Sequence, residues 1–174
     1  MGAEIRRDDD QAARAVGERL AAIYRDIGQR TMRELSVYNE ALAVEPIGFG
    51  AHDGRALGIL VTPWFMNVVS VPLGRQGDGA PPVGATVRHV LPSGAYDFII
   101  GDLDGFGRIE TSSLFSPMFD FHDAETARAA AHAALVALLD PPRETAPGSD
   151  GAAGAPASIS RRRILHGKLR GPRP

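Results

Sequence analysis

The chain is 174 residues long, 44% hydrophobic and 23% charged, with a formal net charge of −2 and no cysteine. That length suits one domain with a real core, and the missing thiols exclude disulfides, cysteine nucleophiles and thiolate-held zinc or iron–sulfur clusters. Charge is uneven: residues 141–174 carry seven basic side chains against two acidic, a net +5 that leaves −7 on the body, the reverse of what a dedicated nucleic-acid binder presents.

The opening "MGAEIRRDDD" turns polar at once and does not read as a signal peptide. Residues 1–10 are expected to be a disordered N-terminus. From Gln11, the recurrence of Ala12, Val16, Leu20, Ile23 and Ile27 predicts a helix, with Asp8, Asp9 and Asp10 placed to cap it and to favour the positive end of its dipole. Gly28 weakens this helix, and Met32 and Leu35 continue it as a second short turn.

After Ala43 the helical period gives way to short apolar runs. Strands are predicted at roughly 44–49, 56–62, 65–72, 85–91, 95–101 and 107–114, separated by "HDGR", "TPW", "GRQGDGAPPVG", "LPSG" and "GDLDGFG". Short connections favour antiparallel meanders. A last helix runs from about Asp123, its cap, to Leu139. Its apolar stripe is Ala127, Ala131, Ala134, Leu135 and Leu138, and Pro141 and Pro142 end it. The fold class is therefore α+β: an antiparallel sheet of about five to six strands packed by an N-terminal and a C-terminal helix, with a disordered basic C-terminal tail. The folded domain is expected over residues 11–140, followed over 141–174 by a flexible Ala/Gly/Pro-rich linker and the basic tail. The apolar runs are interrupted and too short to span a membrane.

Signals for chemistry are weak. The histidines, His52, His89, His122, His132 and His166, form no ligand pair at helical spacing, and no metal is expected. Asp120, His122 and Asp123 read as a helix-capping corner. "GDLDGFG" lacks the later ligands of a calcium loop and reads as a hairpin turn. There is no G-x-S-x-G elbow, and Gly105 and Gly107 are a lone G-x-G. No cofactor is expected. An unrecognised Ser/His or carboxylate site, making the chain a small hydrolase or transferase, is the alternative reading.

Two apolar stretches stand out, "VTPWFMNVV" (61–69) and "SSLFSPMFDF" (112–121), each placing aromatics and a methionine beside a proline. Strict alternation sends Trp64 and Met66 to one face and Phe65 and Asn67 to the other. Residues of this kind suit either a sheet core or an adaptable contact with an apolar partner segment, and the pattern leaves both open.

"LGILVTPWFMNVV", "LPSGAYDFIIGDLDGFG" and "SSLFSPMFDFHDAETARAAAHAALVALL", in this order and spacing, resemble the HybE-type nickel–iron hydrogenase assembly chaperones, a group that includes HupJ-like proteins. The resemblance runs from about residue 11 to residue 140 and includes the basic tail. It implies a non-catalytic, cytoplasmic accessory protein that binds precursor subunits: the hydrogenase small-subunit precursor, which bears a twin-arginine export signal, and also the large subunit and other maturation proteins. It makes Pro63, Trp64, Phe65, Met66 and Asn67, with Leu114, Phe115, Ser116, Pro117 and Met118, this chain's versions of the family's signature stretches, expected to lie side by side as a protein-binding surface. Family members often carry a cysteine just before the second stretch. Here Ser112 stands at or beside that place, so a role resting on a thiol does not carry over. In the tail, "SRRRILHGK" resembles a twin-arginine consensus through Arg161, Arg162, Ile164 and Leu165. At this end of the chain it is expected to mimic an export signal by binding the acidic body; the alternative is a basic tail serving solubility or loose attraction to anions.

Overall fold

The computed structural model describes residues 2–74 and 80–141. In chain order it contains helix α1 (Gly2–Ile27), a five-residue π-helical turn (Gly28–Met32), strands β1 (Glu45–His52), β2 (Arg55–Val61), β3 (Met66–Pro72), β4 (Thr86–Leu91), β5 (Gly94–Leu103) and β6 (Gly107–Phe115), and helix α2 (Ala124–Leu139).

The six strands form one antiparallel sheet in the order β1-β2-β3-β6-β5-β4. Each end of the chain order is a meander, as the short turns predict. Between Asp53 and Gly54 both φ angles are positive (47° and 72°), the combination a two-residue hairpin turn requires. The long connection from β3 to β4 is different. It carries the chain to the far edge, so that β6 rather than β4 returns to pair with β3.

The two helices lie on opposite faces. Alternation in β2 separates them: Leu57, Ile59 and Val61 join Ala127, Ala131 and Leu135 of α2, while Ala56 and Leu60 join Ala13, Leu20 and Ala21 of α1. β2 is buried on both sides and reads as a continuous apolar run for that reason. The α2 stripe contains the five residues expected from the sequence, and Asp123 caps it by accepting from the Thr126 N–H at 2.7 Å.

The N-terminal region differs from expectation on two counts. Residues 2–10 are the start of α1 rather than a disordered segment. Asp10 is no cap. It lies inside the helix, and its Oδ1 accepts from the Ala51 N–H at 2.8 Å, tying α1 to the end of β1. The buried stripe is also turned by about one residue, to Ala13, Gly17, Leu20 and Ala21, with Ala12 exposed and Val16, Ile23 and Ile27 only half-buried. Small residues decide this. A Cβ on Gly17 would lie 2.7 Å from the Phe49 ring, and one on Gly58 2.4 Å from it, so Phe49 is wedged between helix and sheet where only glycines face it. Phe49 reaches that position because β1 carries an irregularity between Ile47 and Gly50, with Gly48 at φ +61°.

Candidate functional site

The corner begins at a four-residue turn. The Thr62 hydroxyl accepts from the Trp64 and Phe65 N–H groups (3.2 and 2.9 Å) and donates to the Phe65 carbonyl (3.0 Å). This satisfies a fully buried side chain and aims Trp64 inward, onto the α1 side of the sheet. There it stacks on Tyr38 (6.0 Å between centroids, 25°) and sits beside Tyr24 and Phe65. The indole lies over Gly28, where a Cβ would stand 3.2 Å from it. Gly28 thus does more than weaken α1: it begins the π-helical turn and leaves room for the ring. Burial raises the Tyr24 pKa above its ordinary value.

The structure brings the two signature stretches together. Met66 pairs with Phe115 and Asn67 with Ser113 across β3 and β6, and the step between these pairs leaves Leu114 as an extra residue. This bulge breaks alternation, so that consecutive Leu114 and Phe115 are both buried in the α2-side core with Met66, Met118 and Phe121. The Ser116–Pro117 peptide that follows is cis.

Burial sorts the ten candidate contact residues. Pro63, Trp64, Met66, Leu114, Phe115 and Met118 are buried; Trp64 is only 9% exposed. Their expected role as a direct contact surface does not fit their place, because Trp64, Met66, Leu114, Phe115 and Met118 fill the two cores the helices close and Pro63 is fully buried beside them. Phe65 and Asn67 are half-buried, and Ser116 and Pro117 are exposed. Among the described residues the Asn67 Oδ1 is buried without a hydrogen-bond partner. Ser112 is half-buried opposite Val68. The tail residues Arg161, Arg162, Ile164 and Leu165 lie outside the described residues.

Sequence reading missed what organises and what exposes this corner. Asn39 donates through Nδ2 to the carbonyls of Met118 (3.0 Å) and Phe121 (2.8 Å), while its own N–H donates to the Pro63 carbonyl (2.9 Å). One residue, through its side chain and its backbone N–H, therefore laces the 33–42 loop to both signature stretches. Its Oδ1 accepts from the Ala41 N–H, an Asx turn, and Asn between two helical or strand patterns is the signal that could have found it. On the same end, Leu35 (48%), Val37 (38%) and Phe119 (53%) are the large apolar side chains left exposed. Phe119 lies within a stretch read as apolar, but a turn after a bulge has no fixed period from which its direction could be inferred.

A second polar site lies at the opposite end of β3 and β6. Glu110, nearly buried, meets His89 Nε2 of β4 and Arg55 of β2, whose Nη2 is 2.5 Å away as an ion pair outside hydrogen-bond geometry. Arg55 Nε donates to Ser70 Oγ at 2.6 Å. Leu57 of β2 and Leu91 of β4 line the same cavity of about 40 Å³ although three strands separate them in the sheet, so the sheet curls around α2. The cavity has room for about one to three waters. Ser70 and His89 are engaged with other partners rather than with each other, so this cluster does not assemble a nucleophile and base. Among the described residues no three His, Asp or Glu side chains converge as metal ligands. No helix among them is long and apolar enough to cross a membrane.

Residues 15–167 match the sequence profile of the family described as NiFe-hydrogenase assembly, chaperone, HybE. The chain belongs to the HybE family of hydrogenase assembly chaperones. Among its relatives, the hydrogenase expression/formation protein HupJ of Bradyrhizobium diazoefficiens is 49% identical over 132 residues, covering 76% of each chain. The hydrogenase expression/formation protein HupT of Azotobacter chroococcum is 38% identical over 158 residues, covering 88% of this chain and 96% of that one. The solution structure of HybE from Escherichia coli shares the fold, with a TM-score of 0.60 over 84% of this chain and 93% of that chain at 23% identity. In this family member, Trp64, Met66, Phe115 and Met118 build the corner, and the residues around them face outward.

Proposed function

We propose that the chain is a non-catalytic chaperone that engages the hydrogenase small-subunit precursor before assembly and export, through the rim of the β3–β6 corner. The contact residues in this reading are Phe65, Asn67, Ser116, Pro117 and Phe119, flanked by Leu35 and Val37. Pro63, Trp64, Leu114 and Met118 act beneath them as scaffold, with Met66 and Phe115. One observation carries the reading: two stretches almost fifty residues apart in sequence are paired side by side, at the end of the fold where three large apolar side chains stay exposed. Exposed apolar groups over a rigid aromatic base suit recognition of an extended or helical apolar segment. The cluster at Glu110 is itself buried, and among the residues lining the pocket beside it Val90 is the one exposed apolar side chain, against three at the rim.

The test is capture of small-subunit precursor, with and without its export signal, by the full chain and by Phe119→Ser. Phe119 is exposed, so its replacement should shift stability by no more than about 0.5 kcal/mol. Retention of the fold, checked by circular dichroism, together with loss of signal-dependent capture, is the expected result. Normal capture by a folded Phe119→Ser variant refutes the rim. Capture of the large subunit alone moves the partner assignment.

A further inference from the structure

The exposed apolar groups of this rim sit among carboxylates. Over residues 33–42 and 116–125 the chain has five acidic side chains, Glu34, Glu40, Asp120, Asp123 and Glu125, against Arg33 and the histidine His122. All five are exposed, and Asn39 holds the two segments together. An acidic rim around Leu35, Val37 and Phe119 calls for an occupant that is basic and apolar at once. Residues 160–170, "SRRRILHGKLR", have that chemistry: five basic side chains, no acidic one, and Ile164, Leu165 and Leu169.

The distances agree. The described chain ends at Pro141, two residues past α2, whereas the rim lies at the other end of that helix, beside its cap Asp123. Sixteen helical residues span about 24 Å. Eighteen residues, 142–159, separate Pro141 from Ser160, and an Ala/Gly/Pro/Ser chain of that length has a root-mean-square reach of about 21–25 Å. A tether whose reach equals the gap gives the highest local concentration, on the order of 1 mM. The match to the family profile also runs beyond α2 through this connection as far as residue 167.

We propose that residues 160–170 dock in cis on the acidic, apolar rim formed by the 33–42 loop and the 116–125 turn, and compete there with the partner. The docking stands on the rim's own chemistry; the competition rests on the reading of that rim as the precursor site. Arg161, Arg162 and Arg163 meet the carboxylates, and Ile164 and Leu165 cover Phe119 and Val37. Weak intrinsic affinity suffices, because the contact is intramolecular.

The absence of cysteine makes the test clean. A nitroxide is attached to the full chain at Gly171→Cys, beyond the docking segment, and amide broadening is recorded by NMR without any precursor. Docking predicts broadening concentrated at residues 33–42 and 116–122, unchanged on dilution, and removed by Arg161→Glu, Arg162→Glu and Arg163→Glu together or by 1 M salt, where the screening length falls to about 3 Å. Uniform or absent broadening overturns the proposal, as does equal broadening of the same residues in nitroxide-free, isotope-labelled chains mixed with nitroxide-bearing chains that carry no isotope label, which assigns the rim to a second copy. A precursor pull-down then separates the two readings. If precursor binds, the triple Arg→Glu chain should bind it about two-fold tighter, for a tail affinity comparable to its local concentration; equal affinity refutes the competition. If broadening is present and no precursor binds, tail docking stands and the partner assignment falls.

Discussion

Strands β3 and β6 pair along their length, yet their two ends have opposite chemistry. At one end Met66 faces Phe115 over an apolar core, with the stacked Trp64 and Tyr38 on the other face of the sheet. At the other end Ser70 faces Glu110, and the carboxylate holds together β2, β4 and β6 through Arg55 and His89. The polar end satisfies itself. Its charges neutralise one another within the fold, beside a pocket of about 40 Å³ whose one exposed apolar lining residue is Val90 of the edge strand β4. The apolar end fills both cores and still leaves Leu35, Val37 and Phe119 in solvent. In this fold the charged cluster therefore holds the structure, and the apolar end is the one with capacity to spare for a partner.

The comparison can be broken from either side. The largest effect is expected for Trp64→Ala. Removing a buried indole that packs on Tyr24, Tyr38 and Gly28 should cost about 4 kcal/mol of unfolding free energy, followed in urea by circular dichroism because the chain then has no tryptophan. A loss of binding in this variant would report on the fold and not on the rim. Glu110→Gln comes next. It leaves Arg55 without its counter-ion in a largely buried place, at a cost of about 3 kcal/mol, and it should free the β4–β5 hairpin, read as faster amide exchange at His89. A stability change below about 0.5 kcal/mol would mean the polar end is an ordinary solvated cluster.

Asn39→Ala sharpens the contrast at the apolar end. The Phe121 carbonyl loses its donor and the Met118 carbonyl keeps only the Phe121 N–H, for about 2 kcal/mol, and chemical-shift changes should be confined to residues 116–122 and the 33–42 loop. Asp123 gives the smallest effect. The Thr126 N–H holds its carboxyl below the ordinary carboxylate value, so its contribution is present above the unfolded-state pKa and lost as pH falls through the lower folded value. Asp123→Ala should lower the melting temperature by about 2–4 °C near neutral pH. Asp123→Asn should keep most of the cap and remove its acid dependence, measured as melting temperature between neutral and strongly acidic pH.

Much of the architecture was legible before any coordinates. Six strands stand within a few residues of their predicted places, because hairpin turns such as Asp53–Gly54 and apolar runs such as 56–62 are local signals that the backbone must obey. The α2 stripe was legible for the same reason, since Ala127, Ala131 and Leu135 repeat at the helical period and have one core to face. The family resemblance singled out the two stretches, but their adjacency was an expectation that no periodicity carries, and the β3–β6 pairing supplies it.

What the residues alone determined was the order of helices and strands, the Asp123 cap of α2 and the apolar content of the two stretches. Tertiary structure decided the rest, because it depends on contacts between distant segments. Whether β4 or β6 pairs with β3 is open to a chain with an eleven-residue loop. The face α1 buries turns on whether Phe49 meets glycine at positions 17 and 58. A bulge at Leu114 reverses alternation, and two cores rather than one claim Trp64 and Phe115. The rim is consequently formed by Phe119 and its neighbours, residues whose exposure no local pattern encodes.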